Sequence, residues 1–159
     1  GYRKIAHVTG PGWLTMTIQR LEGYLAALEK YQLPVMPGWV IHSGFSQEDG
    51  MRDAAELLGL PVIPDAIFAV NDRKAIGCML TLKEKNITIG ADIGVAGFTG
   101  DPVSKLVTPT LTTMEEPAFM IGQKSCELLI KHITKKRFIP EEIIIPGQLF
   151  TGESTKRNG

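Results

Sequence analysis

The residues best suited to chemistry in this 159-residue sequence are binders rather than reactors. Arg20 offers a guanidinium, Asn71 an amide, Asp72 and Asp101 carboxylates, and Thr99 a hydroxyl. Trp13 and Phe45 offer aromatic faces. Fixed hydrogen-bonding groups beside an aromatic platform can hold a polar small molecule, because rings cover its apolar faces while amides and carboxylates orient its hydroxyls. Each also has a plainer reading: Arg20 as a solvated helix residue, Trp13 and Phe45 as core or interface, Asp72 as a helix cap.

Machinery for turnover is missing from the motifs. There is no Gly-x-Ser-x-Gly elbow, phosphate-binding glycine loop, His-Glu-x-x-His or Cys-x-x-Cys. Gly10-Pro11-Gly12 lacks a third glycine and reads as a turn. His7, His42 and His132 have no local metal-ligand spacing. Glu48-Asp49 and Glu115-Glu116 are adjacent pairs, and neighbouring helical residues do not face each other, so helix N-terminal charge accounts for both. An acid–base pair assembled from distant positions stays open. Neither a cofactor nor a metal is expected.

The bulk numbers set the class. Seventeen basic residues balance seventeen acidic ones, which argues against direct tracking of nucleic acid by this segment. No membrane-length apolar run occurs. Cys78 and Cys126 lie in apolar helical stretches and read as buried free thiols, consistent with a cytoplasmic setting. The start at Gly1 rather than Met reads as a cut segment.

The elements that would position these residues alternate. Lys4 to Thr9 reads as a strand ending at Gly10-Pro11. Ile18, Leu21, Leu25 and Leu28 then recur at helical spacing, with Thr15 or Thr17 as cap. Trp39 to Ser43 is a second strand. Ser46 and Asp49 open a helix with Met51, Ala54, Ala55 and Leu58 inside and Gly59 at its end. The apolar run Ala66 to Val70 reads as a strand buried on both faces. Asp72 can cap a helix from Arg73 to Lys85 with Ala75, Ile76, Met79 and Leu82 inside, and Ile93 to Ala96 is a fourth strand. This βαβαβαβ order predicts an α/β, doubly wound, Rossmann-like parallel sheet flanked by helices. Ligands in such sheets bind beyond the carboxyl ends of the strands, where the candidate residues fall. The tail reads as a strand from Thr110 to Met114, a helix after Pro117 and a last strand from Glu142 to Ile145. Lys131, His132, Lys135 and Lys136 suit that helix's negative end.

Several of these segments resemble a known family. They are Ile5-Ala6-His7-Val8-Thr9-Gly10-Pro11, Arg20-Leu21-Glu22-Gly23-Tyr24, Asp65 to Asp72 with Ala75 and Gly77, Ala91 to Phe98, and Pro109-Thr110-Leu111-Thr112-Thr113. Their order and spacing are similar to those of lactose/galactose repressor transcription regulators. The resemblance implies a periplasmic-binding-protein-like core that binds a small effector, a sugar or sugar derivative, between two lobes. It also implies a homodimer, and contact with operator DNA only through a helix-turn-helix headpiece that lies outside this segment. The alternative is a periplasmic sugar-binding protein for transport or chemoreception.

By the same resemblance, Arg20, Phe45 and Asn71 touch effector, Asp72 adjoins them, and Trp13 and Met16 lie in the first pocket loop. The sequence departs from the pattern at Thr99, where an acid is usual, with Asp101 as a substitute, and in Leu149 to Ser154, which lacks the usual arginine. Residues 1–109 are expected in the C-terminal lobe, 110–134 in the other, incomplete lobe, and 135–159 back in the first. Phe119, Leu129, Ile130 and Ile133 would then lack cover.

Overall fold

The computed structural model describes residues 1–134 and 139–157. Lys135 and Lys136 lie outside these described residues. A six-stranded sheet has the order β2-β1-β3-β4-β5-β6. Its strands are β1 (Ile5–Thr9), β2 (Val40–His42), β3 (Ala66–Ala69), β4 (Gly94–Thr99), β5 (Thr112–Glu115) and β6 (Gln148–Phe150). The first five run parallel, and β6 is antiparallel to β5. The helices are α1 (Thr15–Lys30), α2 (Gln47–Leu58), α3 (Asp72–Glu84) and α4 (Ala118–Thr134).

Strand alternation divides the layers. Ala6, Val8, Ile67, Ala69 and Val95 join the buried cluster that includes Leu57, Met79 and Leu82 of α2 and α3. The intervening His7 and Phe68 stack at 4.7 Å on the opposite face, with Tyr24 of α1 beside His7. Between α2 and α3 the backbones nearly touch. A methyl on Gly50 would meet the Lys74 carbonyl, and one on Gly77 would meet that of Gln47.

Helix details depart from the sequence expectations for local reasons. Thr15 and Thr17 do not cap α1; Leu14 holds that position without a side-chain hydrogen bond, and Thr17 is buried inside the helix. The inward face is Thr17, Tyr24 and Leu28, whereas Ile18 and Leu25 are exposed. Tyr24 sets this rotation by donating to the Ile5 carbonyl at 2.7 Å. The Ser46–Asp49 capping box forms as its spacing predicts. The buried face of α2 is turned by one residue, to Gly50, Asp53, Ala54 and Leu57, because Gly50 admits α3 and Asp53 pairs with Lys74. Cys78 is buried as expected, but Cys126 is exposed.

The tail departs further. Thr112–Glu115 pairs with β4 inside this sheet. Ser154 fastens the chain's return: its hydroxyl donates to the Val95 carbonyl at 2.6 Å and accepts from the Thr112 amide at 2.8 Å. Residues 142–145 form no strand; 148–150 pairs with the free edge of β5 instead. A strand requires a ladder partner, and 142–145 has none among the described residues. Helix α4 has no buried residue, and Phe119 and Ile133 are 84% and 75% exposed.

Candidate functional site

The carboxyl ends of β3, β4 and β5 converge on Arg20, one turn into α1. Its side chain is only 11% exposed. One terminal nitrogen donates to the Val70 carbonyl at 2.7 Å, just past β3. The other donates to Glu116, past β5, at 2.8 Å. The guanidinium lies 4.0 Å over the centre of the Phe98 ring on β4. Burial lowers the Arg20 pKa from its ordinary value, and Glu116 opposes that shift. The charge is retained, because an arginine in a protein does not deprotonate.

Arg20, Phe98, Glu116 and Met16 line the upper part of a groove of about 700 Å³. Lower down, between α1 and the sheet, the walls are apolar and include Tyr24, Leu28 and Phe68. A groove with polar groups at one end and rings along its length can orient a polar ligand while covering its apolar faces.

Of the sequence candidates, Met16 and Arg20 therefore meet in one groove. Phe45 and Asn71 meet beside it: the Asn71 amide nitrogen donates to the Phe45 carbonyl at 3.1 Å. The Phe45 ring packs against Gly10, where a methyl would lie 2.5 Å from a ring carbon. Trp13 is 79% exposed in the loop after β1 and is not part of the groove wall.

The Asn71–Asp72 turn corrects the sequence expectation. Asp72 is not the cap of α3. Asn71 is, with its side-chain oxygen accepting from the Lys74 amide at 2.8 Å. Asp72 is the first helical residue and is wholly buried. It accepts from the Thr113 hydroxyl at 2.6 Å and from the Asp101 amide at 2.7 Å. Burial raises its pKa above the ordinary carboxylate value, against the opposing effect of these donors. Asp72 thus ties α3 to β5 and to the loop after β4.

That loop holds Thr99 and Asp101. Thr99 has φ of +119°, a conformation that favours glycine, and Gly100 follows at +74°. Hydrogen bonds hold it there: the Thr99 carbonyl accepts from the Glu116 amide at 3.2 Å, and Asp72 grips the Asp101 amide. The Asp101 carboxylate caps the following turn through the Val103 amide at 3.1 Å and faces a different depression, beside Ser46 and Arg73.

Sequence reasoning missed Phe98 and Glu116. Phe98 was legible only as the end of a strand. Glu116 was assigned to helix N-terminal charge, although it sits where the chain leaves β5 for α4. Among the described residues no cluster could hold a metal ion, and no helix is long and apolar enough to cross a membrane.

The model of the periplasmic binding protein-like domain matches residues 1–155. The chain belongs to that family. Relatives of this periplasmic binding protein-like domain include NtdR, the NTD biosynthesis operon regulator of Bacillus subtilis strain 168, 32% identical over 156 residues, covering 98% of this chain and 47% of its own length. The HTH-type transcriptional repressor PurR of Haemophilus influenzae strain PittEE is 31% identical over 136 residues, covering 86% of this chain and 40% of PurR. A regulatory protein of the LacI family from Chloroflexus aggregans superposes with a TM-score of 0.90 at 30% identity, over 98% of this chain and 56% of that one. The regulator CelR in complex with cellobiose superposes with a TM-score of 0.91 at 26% identity, over 97% of this chain and 47% of that one. The domain thus spans about half, or less, of the relatives it matches.

Proposed function

We propose that this chain is the effector-binding and dimerisation domain of a sugar-responsive bacterial transcriptional regulator of the lactose/galactose repressor type. The observation that carries the reading is the near-buried Arg20, held over Phe98 at the head of the groove at the strand ends. A guanidinium over a ring, beside a carboxylate, is an arrangement that can hold a polar ligand. The relatives favour regulation over transport or chemoreception, because the matched proteins are named as a repressor, an operon regulator and a LacI-family regulatory protein. The cellobiose complex of CelR supports a sugar or sugar derivative as effector here. The whole protein would act in the cytoplasm as a dimer and reach operator DNA through a separate headpiece. Residues 118–134 would complete a second lobe.

In this reading Arg20 and Met16 face the effector directly, with Trp13, Phe45 and Thr99 on the rim. Asn71 caps α3 and carries Phe45, and Asp72 fixes the loop of Thr99 and Asp101. The test is Arg20→Ala in the full-length protein. Loss of a charge-assisted hydrogen bond should raise the effector concentration for half-response by about tenfold or more, with operator affinity unchanged. An unaltered effector response would overturn the assigned site.

A further inference from the structure

We propose that this site takes an uncharged or cationic polyhydroxylated ligand and rejects anionic ones, with Glu116 as the residue that sets the preference. The inference rests on the reading above, that the strand ends hold a sugar-like effector. It adds the charge class of that effector.

The groove has two charged side chains in its wall, Arg20 and Glu116, and they are already paired at 2.8 Å. An arginine offered to a phosphate or carboxylate presents its free donor edge to solvent. Arg20 does not. One terminal nitrogen is committed to Glu116 and the other to the Val70 carbonyl, while Phe98 lies against the guanidinium plane. The buried Asp72 carboxylate adds negative potential behind it. An incoming anion would have to displace Glu116 from its partner or share the site with it. Two carboxylate-like charges in one partly buried place repel each other strongly.

A hydroxyl meets no such cost. The guanidinium carries five N–H donors, of which the chain engages one on each terminal nitrogen, so others remain for a ligand oxygen. Glu116, 39% exposed, has a second carboxylate oxygen that can accept from a hydroxyl or an ammonium group. A neutral sugar or an amino sugar therefore satisfies the pair without breaking it.

The test uses the full-length protein and sugars matched in ring but not in charge: D-glucose, D-glucosamine and D-glucose 6-phosphate, with the corresponding D-galactose set, titrated by calorimetry and thermal shift. In the wild type, neutral and amino members should bind and their phosphorylated counterparts should not. Glu116→Gln should narrow the ratio of neutral to anionic affinity by about tenfold, or about 1.4 kcal/mol. Its ligand-free melting temperature shows that the variant folds. A phosphorylated sugar that binds the wild type as tightly as its neutral parent overturns the charge preference and leaves the small-molecule reading standing. So does a ratio unchanged by Glu116→Gln. A ligand whose affinity neither Arg20→Ala nor Glu116→Gln alters overturns the site on which both readings rest.

Discussion

Lys74 and Asp53 form an ion pair of 2.7 Å in which neither side chain is more than 4% exposed. The ammonium also donates to the Thr9 carbonyl and, at 2.7 Å, to the Ser43 hydroxyl. Ser43 in turn donates to Asp53 at 2.8 Å. One buried cation thus joins the ends of β1 and β2 to both helices on that face. Charge burial of this kind costs much desolvation, and full partnering offsets it.

Removing one partner should therefore be worse than removing both. Lys74→Met leaves Asp53 charged in the core and should cost about 3–5 kcal/mol. Lys74→Met with Asp53→Leu should recover most of that loss. Urea denaturation of the single and double variants checks it, and a double variant no more stable than the single would refute the account.

The cap assignment of Asn71 separates structure from binding. Asn71→Ala should cost about 1 kcal/mol by loss of the bond to the Lys74 amide, and should also free the Phe45 loop. Asn71→Asp keeps the acceptor and should retain most of the stability. Equal destabilisation by both variants, measured by denaturant midpoint, would show that the cap is not what the residue contributes.

His7 gives a pH dependence. It is buried, with Nδ1 donating to the Phe68 carbonyl at 2.9 Å and Nε2 unpaired among the described residues. Burial first, then the positive charges of Lys74, His42 and Arg20, push its pKa down to about 4 against the opposing Phe68 bond. The folded state therefore holds the neutral ring while the unfolded state takes up a proton near 6.5. The stability tied to the neutral ring is fully present above about pH 6.5 and is lost as pH falls towards 4, a loss of order 3 kcal/mol. His7→Phe keeps an aromatic ring against Phe68 and should flatten this limb of the stability–pH curve. An equally steep fall in that variant would place the titration elsewhere.

Helix α4 carries an uncovered apolar face: Phe119, Leu129, Ile130 and Ile133 are all more than half exposed. Such a face drives association or binds a completing lobe. The isolated 159-residue chain should sediment as an oligomer, and Phe119→Glu with Ile133→Glu should shift it towards the monomer. A monomeric mass for the unmodified chain would contradict this.

The sequence on its own specifies the order of elements through β5 and the parallel sheet. Periodicity, turn residues and the buried run Ala66 to Val70 report local energetics, which act through neighbours along the chain. It also placed Ser46 and Asp49 in a capping box, because that bond spans three residues. Tertiary structure alone decided what distant groups do to one another. Glu116 is 96 residues from Arg20, and no spacing rule links them. Asn71 took the capping role expected of Asp72, because Thr113 and the loop at Asp101 close on the Asp72 carboxylate and leave the Asn71 amide to cap the helix. Helix α1 turned its face to suit the carbonyl of Ile5, and residues 148–150 took the strand expected at 142–145 because β5 offered them an edge. Hydrogen-bond satisfaction in a buried place is settled by whichever partners the fold delivers, and only the folded chain delivers them.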